Sequence, residues 1–188
     1  EIMKHTGTIT IETPRLILRR FTVDDAQQMF DNYCSHEIVT EFLTWHPHKS
    51  IDDTLSFLNG FILPAYEKEN TYRWAIVLKE TNQVIGSIDV VRANDSKRRA
   101  ELGWVLSDNY WGKGYMPEAA KAVAKLLFKN GYERIEAVHD VNNPKSGRVM
   151  EKIGMKHEGV LKHYEPNRDD VLVDCDIWAI TDENDITL

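Results

Sequence analysis

The sequence predicts a single α/β (α+β) domain, a mixed and mostly antiparallel sheet flanked by helices. Three observations support this. The β-rich runs Tyr72 to Leu78, Val84 to Val91 and Arg99 to Leu106 are joined by the turn formers Lys79-Glu80-Thr81-Asn82 and Ala93-Asn94-Asp95-Ser96, so an antiparallel meander is the economical pairing. The third run leads into a glycine-spaced turn, Trp111-Gly112-Lys113-Gly114, and then into a strongly helical segment. The length of 188 residues suits one core and is short for two substantial domains.

From the start of the chain, Leu16 to Phe21 reads as a strand. Thr22-Val23-Asp24-Asp25 then supplies a cap and an acidic first turn for a helix through about Tyr33. Ser50-Ile51-Asp52-Asp53 opens a second helical segment, apolar at Leu55, Phe57, Leu58 and Phe61, which Pro64 stops or bends. The three-strand meander follows. A helix from Pro117 to Lys129 has its proline in the first turn, where the missing N–H is not needed. A strand from Arg134 to His139 precedes a helix from Asn143 to Ile153, which is apolar at Val149, Met150 and Ile153 and ends on Gly154. Strands near Lys156 and Leu172 complete the sheet. Glu1-Ile2 ahead of Met3 read as a cloning remnant, so the domain is drawn from residue 3 to residue 188.

Hydrophobic residues make up 42% of the chain, and no apolar run approaches the length needed to span a bilayer. The start has no basic region followed by an apolar stretch, which makes the cytoplasm the expected location. Cys34 and Cys175, far apart in sequence, are expected as small reduced core residues rather than a disulfide. A net charge of −7 argues against nonspecific nucleic-acid binding and suits a cationic amine as substrate. His46-Pro47-His48 has no cysteine or carboxylate cluster near it, so a solvated loop and no metal are expected.

Chemistry concentrates between Trp104 and Ala119. Two glycines allow successive N–H groups to face one anion, and the helix that follows adds its unsatisfied N–H groups and positive end. A Walker loop is excluded, because Ser107 stands where it needs glycine and Gly114 where it needs a hydroxyl. The dinucleotide fingerprint is excluded too, since its third glycine falls on Pro117. Downstream lies a second segment, Asn143-Pro144-Lys145-Ser146-Gly147-Arg148-Val149-Met150.

Strand, Gly-x-Gly turn, helix, strand and Asn-x-x-Ser helix, in that order, resemble the acetyl-CoA-dependent GNAT N-acetyltransferases, in particular their RimJ/RimL-like branch that acetylates ribosomal-protein N-termini. The similarity runs from Thr13-Pro14-Arg15-Leu16-Ile17-Leu18-Arg19 to Val173-Asp174-Cys175-Asp176-Ile177-Trp178. It implies the GNAT fold, with acetyl-CoA at splayed strands. Backbone N–H groups of Trp111, Gly112, Lys113, Gly114, Tyr115 and Met116 would bind the pyrophosphate, and Lys113 would add a phosphate contact. The edge of the strand ending at Leu106 would serve the pantetheine amides. The family pattern of Arg or Gln, two residues, Gly, one residue, Gly or Ala falls on Trp111, Gly114 and Met116, and only Gly114 obeys it.

By the same resemblance Asn143 would bind the cofactor arm and Ser146 would protonate the departing thiolate. Met150 stands where many relatives carry a tyrosine acid. For the base, Glu101 shares a strand face with Arg99, Gly103 and Val105 by alternation and would deprotonate the amine through a water. Asp140 is the second candidate, followed by Tyr110 and His139. Trp104, Trp111 and Tyr164 either line the site or belong to the core. The expected acceptor is a protein N-terminal amine. The alternatives are a small amine such as a polyamine or antibiotic, and a catalytically silent acyl-CoA-binding module. A monomer or homodimer is expected.

Overall fold

The structure is a computed structural model that describes residues 3–187; Glu1, Ile2 and Leu188, and with them the remnant read at Glu1-Ile2, lie outside the described residues. Eight strands form one sheet: β1 (Ile11–Glu12), β2 (Leu16–Arg19), β3 (Arg73–Leu78), β4 (Gln83–Asn94), β5 (Arg99–Leu106), β6 (Arg134–Asp140), β7 (Lys156–Pro166) and β8 (Leu172–Ile180). Their order is β1-β2-β3-β4-β5-β6-β8-β7. Every pairing is antiparallel except that of β5 with β6.

β3 shows why the sheet is covered on both faces. Trp74, Ile76 and Leu78 enter one core cluster, while the intervening Ala75 and Val77 enter another. A run apolar on both sides of the pleat can be satisfied only between two helical layers. On the first face lie α5 (Tyr115–Lys129) and α6 (Pro144–Ile153). Ala119, Ala120, Val123, Ala124 and Leu127 of α5 are fully buried, and the alanines let the helix sit close to the sheet.

On the second face lie α1 (Ala26–Met29), α2 (Glu37–Thr40), α3 (Ile51–Phe57) and α4 (Leu63–Ala65). The first two expected helices are more broken than the sequence suggested. Wide π-type turns, Phe30–Cys34 and Leu58–Ile62, extend α1 and α3. The second of these turns places Pro64 in the first turn of α4, where it does not break a hydrogen bond. The strand expected to reach Phe21 ends at Arg19, and α5 starts at Tyr115, two residues ahead of Pro117. β1 and α2 had no counterpart in the sequence reading.

Two irregularities shape the site. The parallel β5–β6 pairing covers only Arg99 to Glu101 against Arg134 to Glu136, after which the strands part and leave one edge of Leu102–Leu106 without a strand partner. A bulge in β4 then shifts the register so that Val90 faces Leu102 but Arg92 faces Glu101.

Candidate active site

The splay opens a cleft of ≈ 1390 Å³ that runs from the glycine turn to the sheet face under α1–α4. At its cradle end Gly112 and Gly114 have φ of +75° and +80°, a region that glycine enters without cost. Among the described residues, the N–H groups of Gly112, Lys113 and Gly114 have no protein partner, and the first intrahelical bond of this end runs from the Glu118 N–H to the Gly114 carbonyl at 3.2 Å. Free donors and the start of a fifteen-residue helix therefore converge on one point. Tyr115 and Met116 bury their side chains in the core and leave only backbone at the turn. Met116 departs from the family pattern without filling the cradle.

Arg15, just ahead of β2, braces this turn. Its Nη1 donates to the Lys113 carbonyl at 2.9 Å, its Nε donates to Glu118 at 2.8 Å, and its guanidinium lies 4.2 Å from the Tyr115 ring centre. Thr13 adds a 2.7 Å bond to the same Glu118 carboxylate. The sequence reading did not assign these residues to the cradle. Lys113 is itself exposed, with its ammonium 5.8 Å from the Tyr110 ring centre.

On the opposite lip, Asn143 occupies the N-cap position of α6 but its side chain makes no cap bond, so its amide is unengaged among the described residues. Ser146 is half-buried on the cleft wall and its hydroxyl likewise has no protein partner. Met150 is buried. Trp111 donates its indole N–H to the Leu106 carbonyl at 2.9 Å, so that carbonyl, part of the edge expected to serve the cofactor, is already occupied. Lys145 lies 4.9 Å from the Trp111 ring centre. Trp111 and Trp104 each pack partly into a core cluster and also border the cleft, whereas Tyr164 is exposed beside Arg92 on β7.

The other end of the cleft is polar at its floor. Glu101 is only 5% exposed, and both of its oxygens accept from Arg92, at 3.3 and 3.0 Å. Burial raises its pKa, and Arg92 pulls the other way. Arg92 also reaches Glu165 of β7. On the same face Asp89, 7% exposed, accepts from Arg73 at 2.7 Å through Oδ2. The Tyr33 hydroxyl is buried and has no hydrogen-bond partner among the described residues. Asp89, Arg73 and Arg92 went unassigned in the sequence reading, although a charged residue inside the apolar run Val84-Ile85-Gly86-Ser87-Ile88-Asp89-Val90 was a usable signal.

The remaining base candidates differ in how far they are engaged. His139 is buried, with one ring nitrogen on the Asp140 carbonyl at 2.8 Å and the other accepting from Trp178 at 3.2 Å. Asp140 borders the cleft and accepts the Asn142 N–H at 2.9 Å, which holds the turn into α6. Tyr110 stands edge-on to Tyr115. His46 pairs with Asp169 at 2.9 Å, in the loop expected there, while His48 bonds Thr54 at 2.7 Å. Cys34 and Cys175 are buried and unpaired.

Residues 15–156 match the family model described as an acetyltransferase (GNAT) domain. A Bacillus subtilis relative named as the uncharacterized N-acetyltransferase YoaA is 33% identical over 155 residues, covering 82% of this chain and 86% of its own. The ribosomal protein uS5-alanine N-acetyltransferase of Escherichia coli is 25% identical over 167 residues, covering 83% and 82%. The crystal structure of a GNAT-family acetyltransferase from Bacillus anthracis, 30% identical, superposes with a TM-score of 0.78 over 92% of this chain and 98% of that one.

Proposed function

We propose a protein N-terminal amine as the acceptor for this chain, which belongs to the GNAT acetyltransferase family and is an acetyl-CoA-dependent N-acetyltransferase. The observation that carries the proposal is the continuity of the cleft: one space joins the anion cradle to a floor of carboxylates. The E. coli relative is named for such an acceptor. A small amine is the second reading, because the tip between β7 and β8 is tied to α2 by Arg168, which donates to Glu37 at 2.5 Å and to Thr40 at 2.9 Å, and so narrows that end. Two buried free thiols go with a cytoplasmic setting.

In this proposal the free N–H groups of residues 112–116 hold the pyrophosphate of acetyl-CoA, and the open edge of β5 and the Asn143 amide hold its arm. Most of the rate gain comes from placing thioester and amine together. Ser146 faces the departing sulfur and passes it a proton. Glu101, with both oxygens on Arg92, can receive a proton from the acceptor only by way of a water.

A branched side chain at Gly114 would force a left-handed backbone to carry a Cβ only 3.4 Å from the Arg15 guanidinium. Gly114→Val should therefore abolish measurable acetyl-CoA binding in calorimetry, and wild-type affinity in the folded variant would refute the cradle assignment. For the acceptor, thiol release should be faster with peptides bearing a free N-terminal alanine than with spermidine. The reverse preference would select the small-amine reading.

A further inference from the structure

The cleft holds a second carboxylate, about as buried as Glu101 but with one oxygen that accepts no hydrogen bond among the described residues. Asp89 lies in β4 directly opposite Gly103 of β5. Its Oδ2 is held by Arg73 at 2.7 Å, while its Oδ1 has no hydrogen-bond partner among the described residues. A Cβ built on Gly103 would lie 3.9 Å from that Oδ1 but 2.7 Å from Val91 Cγ1, so the Val91 side chain, from the bulge in β4, rests over Gly103 beside the oxygen. Gly103 belongs to the part of β5 that has left β6, the stretch along which the donor's arm is placed above. The Arg73 guanidinium also lies 4.9 Å from the Phe61 ring centre.

We propose that Asp89 receives the acceptor ammonium and takes its proton directly, and that Glu101 serves to hold Arg92 and, through it, Glu165 of β7. This rests on the N-acetyltransferase reading of the same site. The ammonium gives one proton to Oδ1, and the freed lone pair forms the N–C bond to the acetyl carbonyl. The C–S bond breaks with its electron pair on sulfur. The nitrogen's second proton reaches the thiolate by way of Ser146, and Asp89 returns its proton to water, so no outside reagent is needed. The charged group that acts on Asp89 is Arg73 from β3; Glu101 with Arg92, Glu165 from β7 and Tyr33 from the helical layer line the same cleft. Burial pushes the Asp89 carboxyl up to about 6 against the pull of Arg73, which suits a base working near neutrality.

The test is the pH dependence of kcat/KM, followed by thiol release, with an alanine-initiated tetrapeptide and with spermidine. Catalysis needs ionised Asp89, so wild-type activity should fall as pH drops through about 6. Asp89→Asn should lower kcat/KM at neutral pH by about 100-fold or more, lose that acid limb, and recover in part at high pH where the amine is already neutral. Its acetyl-CoA affinity by calorimetry should be unchanged. Glu101→Gln should keep the limb. A limb retained in Asp89→Asn, or lost only in Glu101→Gln, overturns the assignment.

If Asp89→Asn does not fold, Gly103→Ala decides. Its methyl must displace Val91 Cγ1 at 2.7 Å and comes within 3.9 Å of Asp89 Oδ1, so the amine KM should rise by a larger factor than acetyl-CoA affinity falls; an unchanged amine KM overturns the proposal. Wild-type protein that releases thiol with neither amine would overturn the acetyl-transfer reading itself, a result distinct from failure at Asp89 alone.

Discussion

Ser146 and Asn143 are polar side chains in the first turn of a helix, yet neither caps it. An asparagine at the N-cap ordinarily satisfies an orphan N–H, so the freedom of the Asn143 amide is consistent with a partner other than the helix. If Ser146 serves the leaving sulfur, Ser146→Ala should lower kcat by about tenfold or more under conditions where chemistry is rate-limiting, with little change in acetyl-CoA affinity, because the hydroxyl matters only as thiolate charge develops. Equal single-turnover rates would make it a bystander. Both residues were legible in the sequence because their spacing is local. Asp89 was not, because its partners Arg73 and Gly103 come from two other strands, and which of its oxygens stays free depends on their register.

At the scale of elements, the cradle is a turn held from outside. Glycine spacing announced it, but Arg15, just ahead of β2, fixes it, bonding at once to the Lys113 carbonyl and to Glu118 one turn into α5. Arg15 is partly exposed, so its ion pair alone contributes little to stability. In the proposed role its value is in presenting the three free N–H groups in one orientation. Arg15→Ala should weaken acetyl-CoA binding on the order of tenfold in calorimetry while shifting Tm only slightly. A loss of Tm with unchanged affinity would make the brace purely structural. The bulge in β4 is a similar case: no residue type in Val90-Val91-Arg92 announces it, yet it aligns Arg92 with Glu101.

Across the whole molecule, the cleft exists because β5 and β6 pair for three residues and then diverge, and because β7 and β8 return over its far end. Arg168, near the tip between those strands, is tied to α2 through Thr40 and Glu37. Cutting that tie with Arg168→Ala should raise the acceptor KM severalfold and leave acetyl-CoA affinity alone, as measured by initial rates and calorimetry; a change confined to acetyl-CoA would move the effect to the cradle. The sequence by itself determined what depends on local periodicity and backbone chemistry: the meander, the two long helices, the glycine turn, the Asn-x-x-Ser helix start, and with them the family. Only the tertiary structure decided which carboxylate keeps a free oxygen, which histidine is tied up and which arginine braces the cradle. Those outcomes are set by strand register and by contacts between residues tens of positions apart, and a linear pattern carries neither.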